Sequence, residues 1–160
     1  MSWTYKDNKI DDITQFPDNT YGFVYICKHI PSGKAYIGKK ILQFTKKVKL
    51  GKKELAALAG IVGRRPSYKL SVKESDWKTY YGSQKDIKKL LVEGKKDEFE
   101  RTILKCVETK KQLTYFEIKY QMIYQVLEKP DEFFNDNILG KFFTKDLDEM
   151  LFEDFVDEHK

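Results

Sequence analysis

The chain has 160 residues, with 30 Lys and Arg against 25 Asp and Glu, and a formal net charge of +5. This length suits one domain with an ordinary buried core, and no apolar run approaches the roughly 18 residues that a membrane span needs. The polar, acidic start is unlike a secretory signal, and Cys27 and Cys106 lack metal-binding spacing. We therefore expect a cytoplasmic protein with reduced thiols and no zinc site.

The charge is unevenly distributed along the chain. Residues 34–73 contain ten Lys, two Arg and one Glu, whereas residues 141–160 contain three Lys and seven Asp or Glu. Dense Lys and Arg bind polyanions, because neutralising phosphates releases counterions. The middle of the chain therefore predicts a nucleic-acid-binding surface. The acidic tail at 141–160 would pack on the body, pair with a second subunit or shield the basic surface.

The first predicted elements are hairpins. Residues 1–20 form an N-terminal extension, in which residues 3–10 read as a small hairpin around an Asp-Asn turn. Residues 21–28 and 34–40 are β-prone and are joined by Pro31-Ser32-Gly33, which predicts two antiparallel strands with a bulged turn.

The region 41–75 reads as a basic insertion into the domain. Residues 52–59, KKELAALA, favour a short helix, and residues 60–75 read as a mobile basic loop. Residues 76–83, DWKTYYGS, then form an aromatic cluster. Its aromatic rings either pack in the core or stack on nucleic-acid bases.

The second half alternates helices with one strand. A helix begins at Ser83 and ends at Gly94, and residues 98–107 read as a third strand. Residues 111–128 form the longest helix, with apolar residues at helical spacing, and residues 146–155 predict an acidic amphipathic helix. The fold class is therefore α+β, a small three-stranded antiparallel sheet flanked by helices.

The segment GFVYICKHIPSGKAYIG at 22–38 resembles the signature of the GIY-YIG nucleases. Phe23-Val24-Tyr25 stands where the family has Gly-Ile-Tyr, and Tyr36-Ile37-Gly38 matches Tyr-Ile-Gly. The segment 79–104 is similar to phage-type standalone members, in which an aromatic-Gly-Ser stretch opens a helix. The resemblance covers residues 21–140 and implies a nuclease domain over that range, in a phage-encoded protein of the host cytoplasm.

Later residues extend the resemblance to the family's metal site. Glu117, followed by Tyr120 and Ile123, matches the family's helical glutamate, and Asn135 matches its loop asparagine, with Asn137 as an alternative. The resemblance implies that Glu117 holds one divalent cation, Mg²⁺ or Mn²⁺. Asn135 would orient Glu117 or the turn that contains it.

The resemblance also assigns the phenols. Tyr25 would act as the general base, and Tyr36 would bind the phosphate or order the attacking water. A free phenol has a pKa of about 10, so nearby cations or the metal would have to favour its ionised form. Gly38 would let the backbone approach the phosphate or permit a bulge at the strand end.

One departure from the family concerns its arginine. The position about ten residues after the second tyrosine holds Lys46 here, and Lys cannot reproduce the planar fork of Arg. Lys39 or Lys40 would replace it locally, or Arg64 or Arg65 would fold back from the insertion. We include Lys40 and Arg64 among the candidate catalytic residues.

The prediction as a whole is a metal-dependent endonuclease acting on double-stranded DNA. Its candidate DNA-binding residues are basic or aromatic side chains: Lys39, Lys46, Lys47, Arg65, Lys78 and Tyr81. The alternative is a catalytically weak nucleic-acid-binding module that retains the fold. If the acidic tail pairs with a second subunit, the protein would be a homo-oligomer.

Overall fold

The computed structural model describes residues 2–60, 63 and 66–147, which form a mixed α+β fold. The strands are β1 Trp3–Tyr5, β2 Asn8–Ile10, β3 Gly22–His29, β4 Ala35–Ile41, β5 Gln43–Lys49, β6 Tyr68–Glu74, β7 Phe99–Val107, β8 Asn137–Ile138 and β9 Phe142–Phe143. The α-helices are α1 Lys52–Ala57, α2 Lys85–Val92 and α3 Lys110–Ile123. Of the helices described, none is long and apolar enough to cross a membrane.

The main sheet has five strands in the order β2-β1-β7-β3-β4. The expected antiparallel strands form its β7-β3-β4 part, but the prediction of three strands is wrong in number. The N-terminal hairpin adds the other two, because β1 pairs in parallel with β7, with Trp3 opposite Arg101. A parallel pairing between distant segments leaves no local pattern in the sequence.

Trp3 anchors the N-terminal hairpin to the core. Its side chain is 1% exposed, and its indole Nε1–H donates a hydrogen bond to the Trp77 carbonyl at 2.7 Å. Its ring packs edge-on against Phe23 and Tyr25, at centroid distances of 5.1 and 5.3 Å. An aromatic side chain contributes a large buried area, so this residue makes the hairpin part of the domain core.

Each face of the main sheet buries a separate apolar cluster, because side chains alternate along a strand. The cluster on the α2 side includes Trp3, Phe23, Tyr25, Trp77, Ile87 and Phe99. The cluster on the α3 side includes Val24, Ile37, Val107, Leu113, Val126 and Leu127. The second face therefore places α3 directly beside the tyrosine-bearing strands.

The start of α2 and the end of α3 differ from the predicted boundaries. Helix α2 is capped by Gln84, whose side chain accepts from the Asp86 and Ile87 backbone N–H groups, so Ser83 remains outside the helix. Helix α3 ends at Ile123 because the chain turns through Gln125, which has a φ of 55°. This turn carries the next residues, including Val126, into the core.

The basic insertion is more ordered than predicted. A short helix forms as expected at α1, but the expectation of a loop over 60–75 is wrong for β6, which pairs with β5 along its length. Arg64 and Arg65 lie outside the described residues, as does the predicted acidic helix from residue 148 onward. Before that point, Thr144–Asp146 forms a single 3-10 turn.

Replacing Trp3 with Ala should lower the free energy of unfolding by about 3–5 kcal/mol, the usual cost of removing a buried Trp. The matched control is Ile30→Ala, because Ile30 is 52% exposed and its loss should change stability by no more than about 0.5 kcal/mol. Urea unfolding followed by fluorescence and circular dichroism measures both. Equal stability of the two variants would show that the hairpin is a dispensable extension.

Candidate active site

Strands β3 and β4 bring two phenols together above Gly38. Tyr25 pairs directly with Gly38, and Tyr36 lies two residues earlier on the same face of β4. The two phenol rings are 6.3 Å apart between centroids. A Cβ atom at Gly38 would lie 2.6 Å from the Tyr25 hydroxyl and 2.7 Å from Tyr36 Cε1. The glycine is therefore required in mid-strand by the packing of the phenols, not at a strand end.

Gly82 closes the other side of this phenol pair. A Cβ at Gly82 would lie 3.4 Å from both the Tyr25 hydroxyl and the Tyr36 ring, and its φ of 122° favours glycine. The next residue, Ser83, forms a hydrogen bond with Tyr36. In the sequence, this Gly-Ser pair predicts only the start of a helix. Its position directly after two tyrosines was the available signal that it borders the site.

The surroundings of the phenols disfavour their ionised forms. Tyr25 is 1% exposed, and burial raises its pKa well above the usual value, with a further rise from the phenols of Tyr80 and Tyr36. Burial also raises the pKa of Tyr36, whereas its hydrogen bond with Ser83 lowers it. The charges of Glu117 and Asp136 raise the pKa of Tyr36 by smaller amounts.

Glu117 approaches β4 from helix α3. Its side chain is 14% exposed, and one carboxylate oxygen lies 3.7 Å from Lys39 Nζ. Lys39 also donates a hydrogen bond to Thr114 Oγ1, at 3.1 Å. Burial raises the pKa of Glu117, and the ammonium and backbone N–H of Lys39 lower it in part. The site is thus a partly desolvated carboxylate on the α3 side of β4, with the phenols on the other side.

Asn135 fixes β4, the edge strand that lies between Glu117 and the phenols. Its side-chain oxygen accepts from the Ile37 backbone N–H at 3.0 Å, and its Nδ2 donates to the Ile37 carbonyl at 2.8 Å. Gln121, one helical turn beyond Glu117, donates to the same carbonyl at 3.1 Å. Gln121 is not among the residues predicted from the sequence, although its i+4 spacing from Glu117 places both on one face of α3. Asn137 instead holds the following turn, accepting from the Gly140 N–H.

Lys40 is the cation on the phenol side of β4. It lies two residues after Gly38, on the same face of the strand. Its Nζ is 4.0 Å from the Tyr80 ring centroid and forms a 2.5 Å ion pair with Asp76. The pKa of Asp76 is lowered mainly by its hydrogen bond with Lys40. Lys39 points the other way, toward Glu117, so the two neighbouring lysines serve opposite faces of the strand.

The predicted DNA-binding residues differ in how exposed they are. Lys46 and Lys47 are exposed on β5, and Lys78 is exposed with its Nζ 3.8 Å from Glu74. Tyr81, in contrast, is 2% exposed and packs against Phe99 and the Arg101 guanidinium. Its burial contradicts a base-stacking role, because the ring has no face open to a nucleotide.

Comparison with known families agrees with this arrangement of residues. A family model described as "Putative endonuclease segE, GIY-YIG domain" matches residues 3–138. The match spans the N-terminal hairpin, the two tyrosines, Glu117 and Asn135. No curated protein and no solved structure matches the chain. With most of its length covered by one family model, the chain belongs to the segE-type GIY-YIG endonuclease domain family.

Proposed function

We propose that the protein is a DNA endonuclease that uses one divalent cation and a tyrosine general base to hydrolyse phosphodiester bonds. The observation that carries this proposal is the partly buried Glu117 carboxylate beside the edge strand that also holds Tyr36 and Gly38. The DNA backbone would cross this edge of the sheet. A scissile phosphate there would meet groups from both sides of β4.

Glu117 suits a Mg²⁺ or Mn²⁺ ion. Mg²⁺ is typically held by one or two carboxylates, several waters and substrate phosphate oxygens, so a dedicated cage of protein ligands is not required. In the part of the chain that the structure describes, no three His, Cys, Asp or Glu side chains cluster to form such a cage. Burial disfavours the charged form of Glu117, and the Lys39 ammonium offsets this only in part. A divalent cation, with its higher charge, would stabilise the carboxylate further. When bound, the ion would polarise the phosphate and neutralise the leaving oxygen.

Tyr25 is the proposed general base. Its phenolate would accept a proton from the attacking water, and Tyr36, which is more exposed, would orient that water or the phosphate. The raised pKa of Tyr25 means that only a small fraction is ionised at neutral pH. Positive charge that reaches the phenol when substrate and cation are bound would increase this fraction.

Lys40 is the proposed replacement for the family arginine. It lies on the phenol side of β4, whereas Lys39 lies on the Glu117 side. An ammonium is a point charge and does not form the two-pronged contacts of a guanidinium. Lys40 must also exchange its Asp76 partner for phosphate, which offsets part of its contribution. Arg64 remains a candidate from the sequence.

Asn135 is a positioning residue in this proposal. Both polar ends of its side chain are used by the Ile37 backbone, and it is 5% exposed. It therefore acts through β4, by fixing the strand that carries Tyr36 and Gly38. The sequence leaves open whether Asn135 orients Glu117 or the turn that contains it, and its hydrogen bonds join that turn to β4.

The alternative function is a DNA-binding module of the same fold with little catalytic power. The pairing of Lys40 with Asp76 and the pKa of Tyr25, raised by burial, favour it. Retention of Tyr25, Tyr36 and Glu117 with their packing favours the nuclease. DNA retardation without nicking, over a range of Mg²⁺ and Mn²⁺ concentrations, would select the alternative.

Glu117→Gln should reduce plasmid nicking by about 100-fold or more, because it removes a preorganised charge from the reaction centre. Relaxation of supercoiled plasmid with Mg²⁺ measures this. The control Glu108→Gln removes an equal charge from an exposed position just before α3 and should leave nicking unchanged. Full activity of Glu117→Gln would contradict the assigned cation site.

The rate of cleavage should rise about tenfold per pH unit from pH 6.5 to 8.5, since a base of raised pKa is mostly protonated there and ionises as pH increases. Single-turnover cleavage of a labelled duplex gives this profile. Tyr36→Phe should lower the rate and keep the slope, whereas Tyr25→Phe should abolish the pH-dependent rise. A pH-independent wild-type rate would argue against a tyrosine base.

Gly38→Ala should reduce cleavage by at least about tenfold and leave duplex affinity unchanged, because the new methyl group displaces the phenols. Gly51→Ala is the control, since Gly51 has open space around it and an ordinary φ of −75°. Thermal unfolding of both variants separates a local effect from lost folding. Unaltered cleavage by Gly38→Ala would show that the phenol packing is unrelated to catalysis.

A further inference from the structure

Strands β5 and β6 form a two-stranded sheet of their own, here called the ribbon, outside the five-stranded sheet. Its most exposed apolar side chains are Tyr68, Leu70 and Val72, which are 57%, 69% and 64% exposed. A lone two-stranded hairpin is marginally stable in water, and a contiguous exposed apolar patch commonly marks a binding surface. The ribbon therefore presents a surface that a partner would cover.

The strand register sorts the ribbon side chains into two faces. Thr45 pairs with Val72, Lys47 with Leu70 and Lys49 with Tyr68, so these six residues share one face. We call this the bare face. It combines a polar, basic row on β5 with the apolar row on β6.

The opposite face is partly covered. It carries Lys46, Val48 and Lys69, and Lys69 forms an ion pair with Glu54 of α1. Val48 is half-buried. All six residues of the bare face are exposed, so the bare face is the more open side of the ribbon.

The charge of the ribbon selects that partner. Its two strands contain five Lys and one acid, Glu74, and the segment that joins them contains one further acid, Glu54. Glu54 is paired with Lys69, and Glu74 accepts a hydrogen bond from the Trp77 indole at 2.6 Å and lies near Lys78. A second copy of the same face would bring like charges together, whereas a polyanion would neutralise them.

The dimensions fit duplex DNA. The major groove of B-DNA admits a two-stranded β-ribbon, and its thymine methyl groups make apolar contacts. Each ribbon strand has seven residues, which span about 24 Å at roughly 3.4 Å per residue, or about seven base pairs. We propose that the bare face of the ribbon lies in the major groove of the DNA substrate. Lys47 and Lys49 contact phosphates at the groove edge, and Leu70 and Val72 contact thymine methyl groups.

The root of the ribbon joins it to the candidate active site. Only Leu42 separates β4 from β5, and the Ser75 hydroxyl after β6 donates to the Ile41 carbonyl at 2.5 Å. The next residue, Asp76, holds Lys40. The ribbon would therefore bind the duplex to one side of the bond that is cleaved. Only this position relative to the cleaved bond rests on the proposed nuclease function; binding of the ribbon to the major groove does not.

The test uses the full chain carrying Glu117→Gln, without divalent metal, so that binding is measured apart from cleavage. Fluorescence anisotropy with a labelled duplex gives affinity at several salt concentrations. Lys47→Gln with Lys49→Gln should lower the slope of log affinity against log salt by about 1.8, the value for two lost phosphate contacts. The matched control, Lys88→Gln with Lys89→Gln on the exposed side of α2, should leave the slope unchanged.

A second duplex, in which uracil replaces thymine, tests the groove, because it lacks only the C5-methyl groups of the major groove. Affinity should fall about fourfold for each methyl group contacted, the effect of one buried group of that size. Leu70→Ser with Val72→Ser should remove this difference between duplexes and leave the salt slope intact.

Equal effects of the two lysine pairs, or no uracil effect, would overturn the inference. Circular dichroism confirms that each variant is folded. Sedimentation distinguishes the competing occupant, since a wild-type dimer that Leu70→Ser with Val72→Ser converts to a monomer would assign the bare face to a second copy. Absence of nicking by the wild-type chain would overturn the proposed function and leave these binding results to be judged separately.

Discussion

The antiparallel register between β3 and β4 is the constraint on which the candidate site depends. It sets Tyr25 opposite Gly38, so the phenol lies over the one position of β4 that has no side chain. A slip of one residue would move every side chain of the strand to the other face. The Asn135 and Gln121 amides stabilise this register from outside, since both bind the Ile37 backbone at the open edge of the sheet.

This arrangement places two different chemical environments on opposite sides of a single strand, β4. On one side of β4 the phenols are packed against aromatic rings, which favours their neutral form. On the other side Glu117 is partly buried beside a single ammonium group. The protein alone thus holds neutral phenols on one side of β4 and an incompletely neutralised carboxylate on the other.

The tyrosine hairpin and the helix that carries Glu117 could be predicted from the sequence, because both are local. The hairpin follows from two β-prone runs around Pro31-Ser32-Gly33, and α3 follows from its apolar spacing. The ribbon could not, since β6 has exposed residues on both faces and its strand conformation depends on distant β5. Tyr81 was misplaced for a related reason, because its contact with Arg101 joins segments that are separated in sequence.

The parallel pairing of β1 with β7 also determines the order in which the chain can fold. Trp3 meets its partner only after residue Arg101 has been synthesised, whereas the β3-β4 hairpin is complete at Ile41 and the ribbon at Glu74. Non-local pairings form late, because loop-closure entropy opposes them. A nascent chain would therefore present the tyrosine hairpin before Trp3 covers the Tyr25 ring. Docking of the Trp3 segment becomes the step that completes the aromatic wall of the candidate site, so a segment that is synthesised before the tyrosine hairpin reaches its native place after it.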